Sequence, residues 1–416
     1  MNKLAIISVV AFVAAACGGA TLEGDHTPTA DPSATHTSNP TAAATATSTG
    51  AGGCSPGNFE TAWPDTDFTK CTVDIGAEII RGCPGRDCIP ALDAEGAVEI
   101  PAARGGQAVF VPVSDVDYAA AFPVAYVSIE GEVRGYPLHI LTWHEIVNDV
   151  VGDVPVVATF CPLCNTAIAY DRQVGGRVLD FGVSGNLRNS DLVMWDRQTE
   201  SWWQQATGEG IVGTYAGTLL EQIPMPVLSF EDFAAAFPDA TILSEDTGFA
   251  RDYGINPYSG YDRAGSRPFL FTGKIDARLD GLERVLALDR DGQFFAAPYS
   301  RLADVRVAHV EFAGRNIVLF WAPGTVSALD QADIESSRDI GTAVPFSPEV
   351  EGRELSFTSP EPGVFVDTET SSTWSVAGLA LQGPLAGTQL EPVAHTTSFW
   401  FAWAAFHPDT VVWEPA

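Results

Sequence analysis

The chain has 416 residues, with 53 acidic side chains against 22 basic ones, a formal charge of −31, and 46% hydrophobic residues. That charge argues against nucleic acid as a partner and against adhesion to an anionic membrane through basic patches. With 10 Trp and more than 350 residues beyond a polar N-terminal stretch, there is material for one large or two medium cores.

The first residues, MNKLAIISVVAFVAAAC, place Lys3 before an apolar run from Leu4 to Val13 and small residues before Cys17. This is the pattern of a cleaved export signal, and the run is too short to span a bilayer. It resembles a bacterial lipoprotein signal, which implies that residues 1–16 are removed and that Cys17 carries a lipid. The expected location is then the cell envelope, on the periplasmic or cell-surface side, with the membrane reached through that anchor. Residues 17–53 are rich in Thr, Ala, Ser, Pro and Gly and bury too little surface to offset their ordering entropy, so they form a tether. His26 and His36 fall inside it and are taken as solvated.

Region 54–122 holds Cys54, Cys71, Cys83 and Cys88 in a Pro/Gly-rich context without a clear core of its own. An even cysteine count in an exported chain suggests disulfides, with Cys83–Cys88 closing CPGRDC and Cys54 taking Cys71. A metal site there would lack nearby His.

From residue 123 the pattern is β-rich. Val124–Ile129 and Glu132–Tyr136 flank Gly131 as a hairpin. Ile140, Trp143, Ile146 and Val147 recur at helical spacing, which predicts a helix over 139–148. Val154–Phe160 reads as a strand running into CPLC, and Thr166–Tyr170, Arg177–Gly182 and Leu192–Asp196 read as further strands. Ser184–Asp191 reads as a polar loop. GFARDYGINPYSGYD (248–262) reads as an ordered crossover opening a connector, 248–280.

The segment after the connector repeats the one before it. With Gly131 set on Gly292, Pro137 falls on Pro298 and Pro162 on Pro323, a constant offset of 161. LDF at 179–181 then matches LSF at 355–357, and DRQTESWW at 196–203 matches DTETSSTW at 367–374. The expected fold is α+β and predominantly β: two related domains, 123–247 and 281–416, from an internal duplication, packed about a pseudo-twofold axis. The second copy has Ala322 and Thr325 in place of Cys161 and Cys164, Val305 in place of His144, and a strand-like alternation at Thr325–Ala328.

CPLCN is half of a tetrahedral thiolate site: proline fixes the turn after the first cysteine, and Asn tolerates the left-handed conformation that closes it. With one such knuckle, the remaining donors must be imidazole, carboxylate or solvent. His144 and Glu145 are the candidates, with His139 one turn earlier, and the ion is soft or borderline, Zn or Cu. Two other uses stay open: a Cys161/Cys164 dithiol–disulfide couple, and a purely structural pair within a surface binding module. Around this centre Asn148, Arg188, Asn189, Asp191, Trp202 and Gln204 are candidates for a ligand pocket, Arg188 and Asp191 alternatively pairing with each other. Trp203, matched by Trp374, is assigned to the core. The chain has no Ser-His-Asp order, no Walker loop and no HExxH.

GYPLHILTWHEIVNDVVGDVPVVATFCPLCNTAIAYDR, LDFGVSGNLRNSDLVMWDRQTESWWQQATGEGIVG and RDYGINPY together resemble the domain-of-unknown-function family 3179 (DUF3179), from about residue 75 to the C-terminus. The resemblance implies no activity, substrate or protein partner. On the family's pattern His144, Glu145, Asn148, Asp149, Cys161, Cys164, Ser184, Arg188, Asn189, Asp191, Trp203 and Gln204 match. The cysteines at 83 and 88 depart from it.

Overall fold

The computed structural model describes residues 54–263 and 265–415; the leader, Cys17 and the tether lie outside them. Among the described residues the protein is predominantly β, in several sheets, and no α-helix exceeds seven residues. None is long and apolar enough to cross a membrane.

The hairpin around Gly131 joins Pro123–Ile129 to Glu132–Pro137, with Glu130 and Gly131 at φ 51° and 87°, the two positive angles of a tight hairpin turn. The next helix is shorter than its apolar spacing predicts. It spans Leu138–His144 and stops at Glu145, which takes φ 60°, and Ile146–Val151 continues as a strand. The β-branched run Ile146, Val147, Val150 and Val151 suits a pleated surface and decides that outcome.

Ile146–Val151 pairs with Val154–Cys161, which pairs with Thr166–Asp171. These strands sit inside a ten-stranded sheet that also takes Thr396–Phe399, through the register pair Thr397–Ala167. Strands from both ends of the chain thus meet beside CPLCN. The expected Arg177–Gly182 strand is two pieces, Arg177–Val178 and Phe181–Arg188. The second runs through most of the expected polar loop, leaving only Asn189 and Ser190 as the turn before Asp191–Asp196. Gly185 makes this possible: a Cβ there would meet Cys83 O at 2.9 Å and Gly85 O at 2.7 Å, so the CPGRDC loop packs directly on the strand.

Both expected disulfides are present, Cys54–Cys71 and Cys83–Cys88. The region they staple contributes Trp63, Val73, Ile75 and Ile79 to a cluster with Trp195 and Trp202. It therefore gains a core by leaning on a neighbouring sheet. Farther on, Thr325–Ala328 is no strand; only Val326 bridges Asp339, and pairing resumes at Thr342–Phe346. The 248–262 segment is tied to residues beyond the connector by Asn256 N to Ala332 O at 2.8 Å and Gly260 N to Asp330 O at 2.7 Å.

Candidate metal centre

Pro162–Asn165 turn the chain between Val154–Cys161 and Thr166–Asp171, whose last register pair is Cys161 with Thr166. Cys164 N donates to Cys161 O at 3.2 Å, and Asn165 closes the loop at φ 50°, as the motif requires. The two thiols are free, 1% and 0% exposed, and both donate to Ser190 O, at 3.9 Å from Cys161 and 3.4 Å from Cys164.

Ser190 comes from the second hairpin. Asn189 and Ser190, at φ 52° and 68°, form a two-residue turn that sets Arg188 opposite Asp191. Asp191 thereby starts the returning strand against the sulfurs. One of its carboxylate oxygens and both Sγ atoms all lie within 4.8 Å of one another. Its Oδ2 accepts from Gln204 Nε2 at 2.6 Å and Ala206 N at 2.9 Å, whereas its buried Oδ1 has no hydrogen-bond partner. Burial pushes this carboxyl up to about 6 against the pull of Gln204 and Ala206 and, after them, of the two neighbouring thiols.

Glu145 lies near this cluster, close enough for its charge to bear on Cys161, without being one of the three residues whose donor atoms gather within 4.8 Å. Its N donates to Leu141 O at 2.7 Å and its carbonyl accepts from Phe160 N at 2.8 Å, which fixes the left-handed residue at the helix end. Burial, and then the neighbouring Asp191 charge, push its carboxyl up to about 8. Burial likewise pushes both thiols above their ordinary range. Two thiols and the Asp191 carboxyl thus share one interior site, with the Glu145 carboxyl near enough to feel the Asp191 charge, and no Lys or Arg of the described residues pairs with either carboxyl. In a medium of low dielectric such a set is stable only when protonated or when a cation takes the protons' place.

His144 does not join the set, contrary to the sequence reading. Its Nδ1 lies 2.8 Å from Pro90 O and its Nε2 2.7 Å from Tyr253 Oη, so both ring nitrogens are engaged elsewhere; burial pushes the ring down to about 4. The carboxylate of Asp191 takes the place expected for the imidazole. His139 also points away: it packs on Tyr118 and Phe122, with Nε2 3.3 Å from Glu245. Asn148 bonds Asp93 and both backbone groups of Phe181, a structural role. Arg188 pairs with Glu78 at 2.8 Å rather than with Asp191, and Asn189 serves the turn. Trp202 is fully buried, packed edge-on against Phe59, Trp63 and Phe68. Trp203 is buried, as assigned, and Gln204 holds Asp191.

Three tyrosines of the 248–262 segment carry contacts that the sequence reading left without a role. Tyr253 bonds His144, Tyr261 Oη donates to Leu163 O at 2.8 Å, and the Tyr258 phenol is pushed up by burial and then by nearby Glu145 and Cys161. Their signal was compositional: aromatic hydroxyls spaced among Gly, Asn and Pro immediately after the first β-rich region.

Fold and site define a predominantly β protein, stapled by disulfides, with an interior cysteine–carboxylate cluster. Residues 86–410 match the family described as protein of unknown function (DUF3179), and the chain belongs to that family. No curated protein and no solved structure matches it.

Proposed function

We propose that the protein is an exported, lipid-anchored metal-binding protein whose ion is held by Cys161, Cys164 and Asp191, with Glu145 as fourth donor. The observation that carries this reading is the buried Oδ1 of Asp191, which accepts no hydrogen bond, on a carboxylate that comes within 4.8 Å of both sulfurs and that no Lys or Arg of the described residues pairs with. Two thiolates with carboxylate oxygens suit a borderline divalent ion such as Zn²⁺ better than Cu(I), which favours softer surroundings. The thiol–disulfide reading has less support, because burial raises both thiols and leaves little thiolate to attack.

Export is consistent with the two disulfides, and the lipid anchor rests on the leader ending at Cys17. The same reading takes 123–247 and 281–416 as duplicated halves about a pseudo-twofold axis. Its support is a repeated strand order. Val227–Ser229, Pro123–Ile129, Glu132–Pro137 and Thr241–Leu243 lie side by side in one sheet, as do Thr396–Phe399, Arg284–Arg290, Gln293–Pro298 and Val411–Val412 in another.

Elemental analysis of natively purified protein, with and without Cys161→Ser, tests the metal reading. It predicts one ion per chain in the parent and none in the variant. Equal metal content in the two would discard it.

A further inference from the structure

Once an ion is placed among Cys161, Cys164 and Asp191, the question is how it gets in. The thiols are almost fully enclosed. Much of the enclosure is sheet: Val154–Cys161 and Thr166–Asp171 carry the turn, Asp191–Asp196 carries the carboxylate, and Thr396–Phe399 closes from the far end of the chain, with Phe399 N donating to Cys164 O at 2.8 Å. Opening any of these would break a ladder of backbone hydrogen bonds.

The connector covers the site differently. Tyr258 and Tyr261 pack against the cluster that includes both cysteines, and beyond them Phe269 is 51% exposed. Phe269 has no place in a strand or helix. It is tied down through two hydroxyl groups. Phe269 N donates to Tyr261 Oη at 3.2 Å, while the hydroxyl of Ser190 donates to Phe269 O. Tyr261 Oη also donates to Leu163 O, inside the CPLC turn. Ser190 likewise works on both sides, since its carbonyl accepts from the two thiols. Upstream, the connector is fixed by Gly260 N to Asp330 O and by the buried ion pair of Asp262 with Arg284. Downstream, Phe271 packs on Phe401 with ring centroids 5.1 Å apart, so the part able to lift is the short stretch around Phe269 between these anchors, latched by Tyr261 and Ser190.

We infer that the chain around Phe269 is a strap over the metal centre, and that its release from the Tyr261 and Ser190 hydroxyls is the step through which a divalent ion enters and leaves. This rests on the metal reading above. A latch has a kinetic signature that a supporting residue lacks. Weakening it lowers the barrier in both directions, so uptake and release accelerate together while affinity stays nearly constant.

The test is stopped-flow exchange of Zn²⁺ between the full chain and a chromophoric chelator, on the parent, Tyr261→Phe and Ser190→Gly. Glycine keeps the carbonyl and suits the positive φ of residue 190. Tyr261→Phe should raise both rate constants by about tenfold, the order expected for losing hydrogen bonds at a latch, with affinity changed by less than about threefold. Ser190→Gly should move them in the same direction. Hydrogen exchange at the Phe269 amide should quicken in Tyr261→Phe while Val154–Cys161 stays protected. Unchanged rates in both variants, or faster release alone, would overturn the strap while leaving the metal site standing. A parent protein that takes up no Zn²⁺ would overturn the metal reading and the strap with it.

Discussion

Two hairpins in this molecule make the same turn-off from a sheet and end differently. In the first, Cys161 faces Thr166 at the close of the register, and four residues suffice to turn. In the second, Ala322 faces Thr342 at the equivalent close, and the chain wanders through residues 323–341 before returning. Each is preceded by a seven-residue helix that ends on a left-handed residue, Glu145 in one case and Arg306 in the other. Each is followed by a hairpin whose returning strand starts at Asp191 in one case and at Val364 in the other. The two regions therefore run through a similar order of helix, strand pair and hairpin, the first carrying Cys161, Cys164, Asp191 and Glu145 and the second carrying Ala322, Thr325, Val364 and Arg306 along that order. The acids are not what the fold needs; burying them costs stability. A cation is the simplest reason to keep them together.

The largest test of this contrast is to make the first region resemble the second. Asp191→Val should lower Zn²⁺ affinity at least about 100-fold, since a ligand should cost more than the 10–100-fold typical of a residue behind one. The metal-free variant should unfold no more easily than the metal-free parent. Chelator competition and denaturant titration read the two quantities, and retained affinity would break the contrast.

Trp202 offers a second substitution of the same kind, because Thr373 stands at its place in the other region. Trp202→Thr should cost about 3–5 kcal/mol of stability, the range for emptying a large aromatic site, without altering zinc affinity in the protein that still folds. A loss much below that would mean the N-terminal disulfide region does not depend on this ring.

Much of this was legible in the sequence. The Gly131 turn, the CPLCN turn and both disulfides depend on residues close together in the chain, and their local chemistry decides them. The proposed ligand set was legible only in part. Glu145 ends its helix in a conformation that disfavours any side chain, so the run of helical spacing continued past the true end. His144 finds its partners 54 and 109 residues away, in Pro90 and Tyr253, which no local pattern encodes. Asp191 looked like part of a polar loop, because a strand bulged at Gly185 and packed against a disulfide loop does not show in alternation.

A smaller effect is expected behind the ligand. Gln204→Leu removes the donor that holds Asp191 Oδ2 and should weaken Zn²⁺ by about 10–100-fold, with the ion-to-protein ratio still one. No change in a competition assay would leave Asp191 oriented by Ala206 N alone.

The smallest concerns the second region, which lacks the cysteine cluster. His407 lies between Phe294 and Trp403, with ring centroids 4.3 and 4.2 Å away, and burial pushes it from 6.5 down to about 4. The unfolded chain takes up this proton first, so stability contributed by neutral His407 is whole above pH 6.5 and declines as pH falls toward 4, with no further loss below. His407→Phe should keep the stacking and flatten the stability curve in that window by up to about 1.4 kcal/mol per pH unit. Parallel curves for parent and variant would show the ring to be solvated.

The ligand set itself is the central claim, and X-ray absorption at the zinc edge of the loaded protein reads it directly. The account predicts two sulfur scatterers near 2.3 Å and oxygen scatterers at about 2.0–2.2 Å, with no imidazole signature. A spectrum showing imidazole, or no sulfur at all, would contradict it.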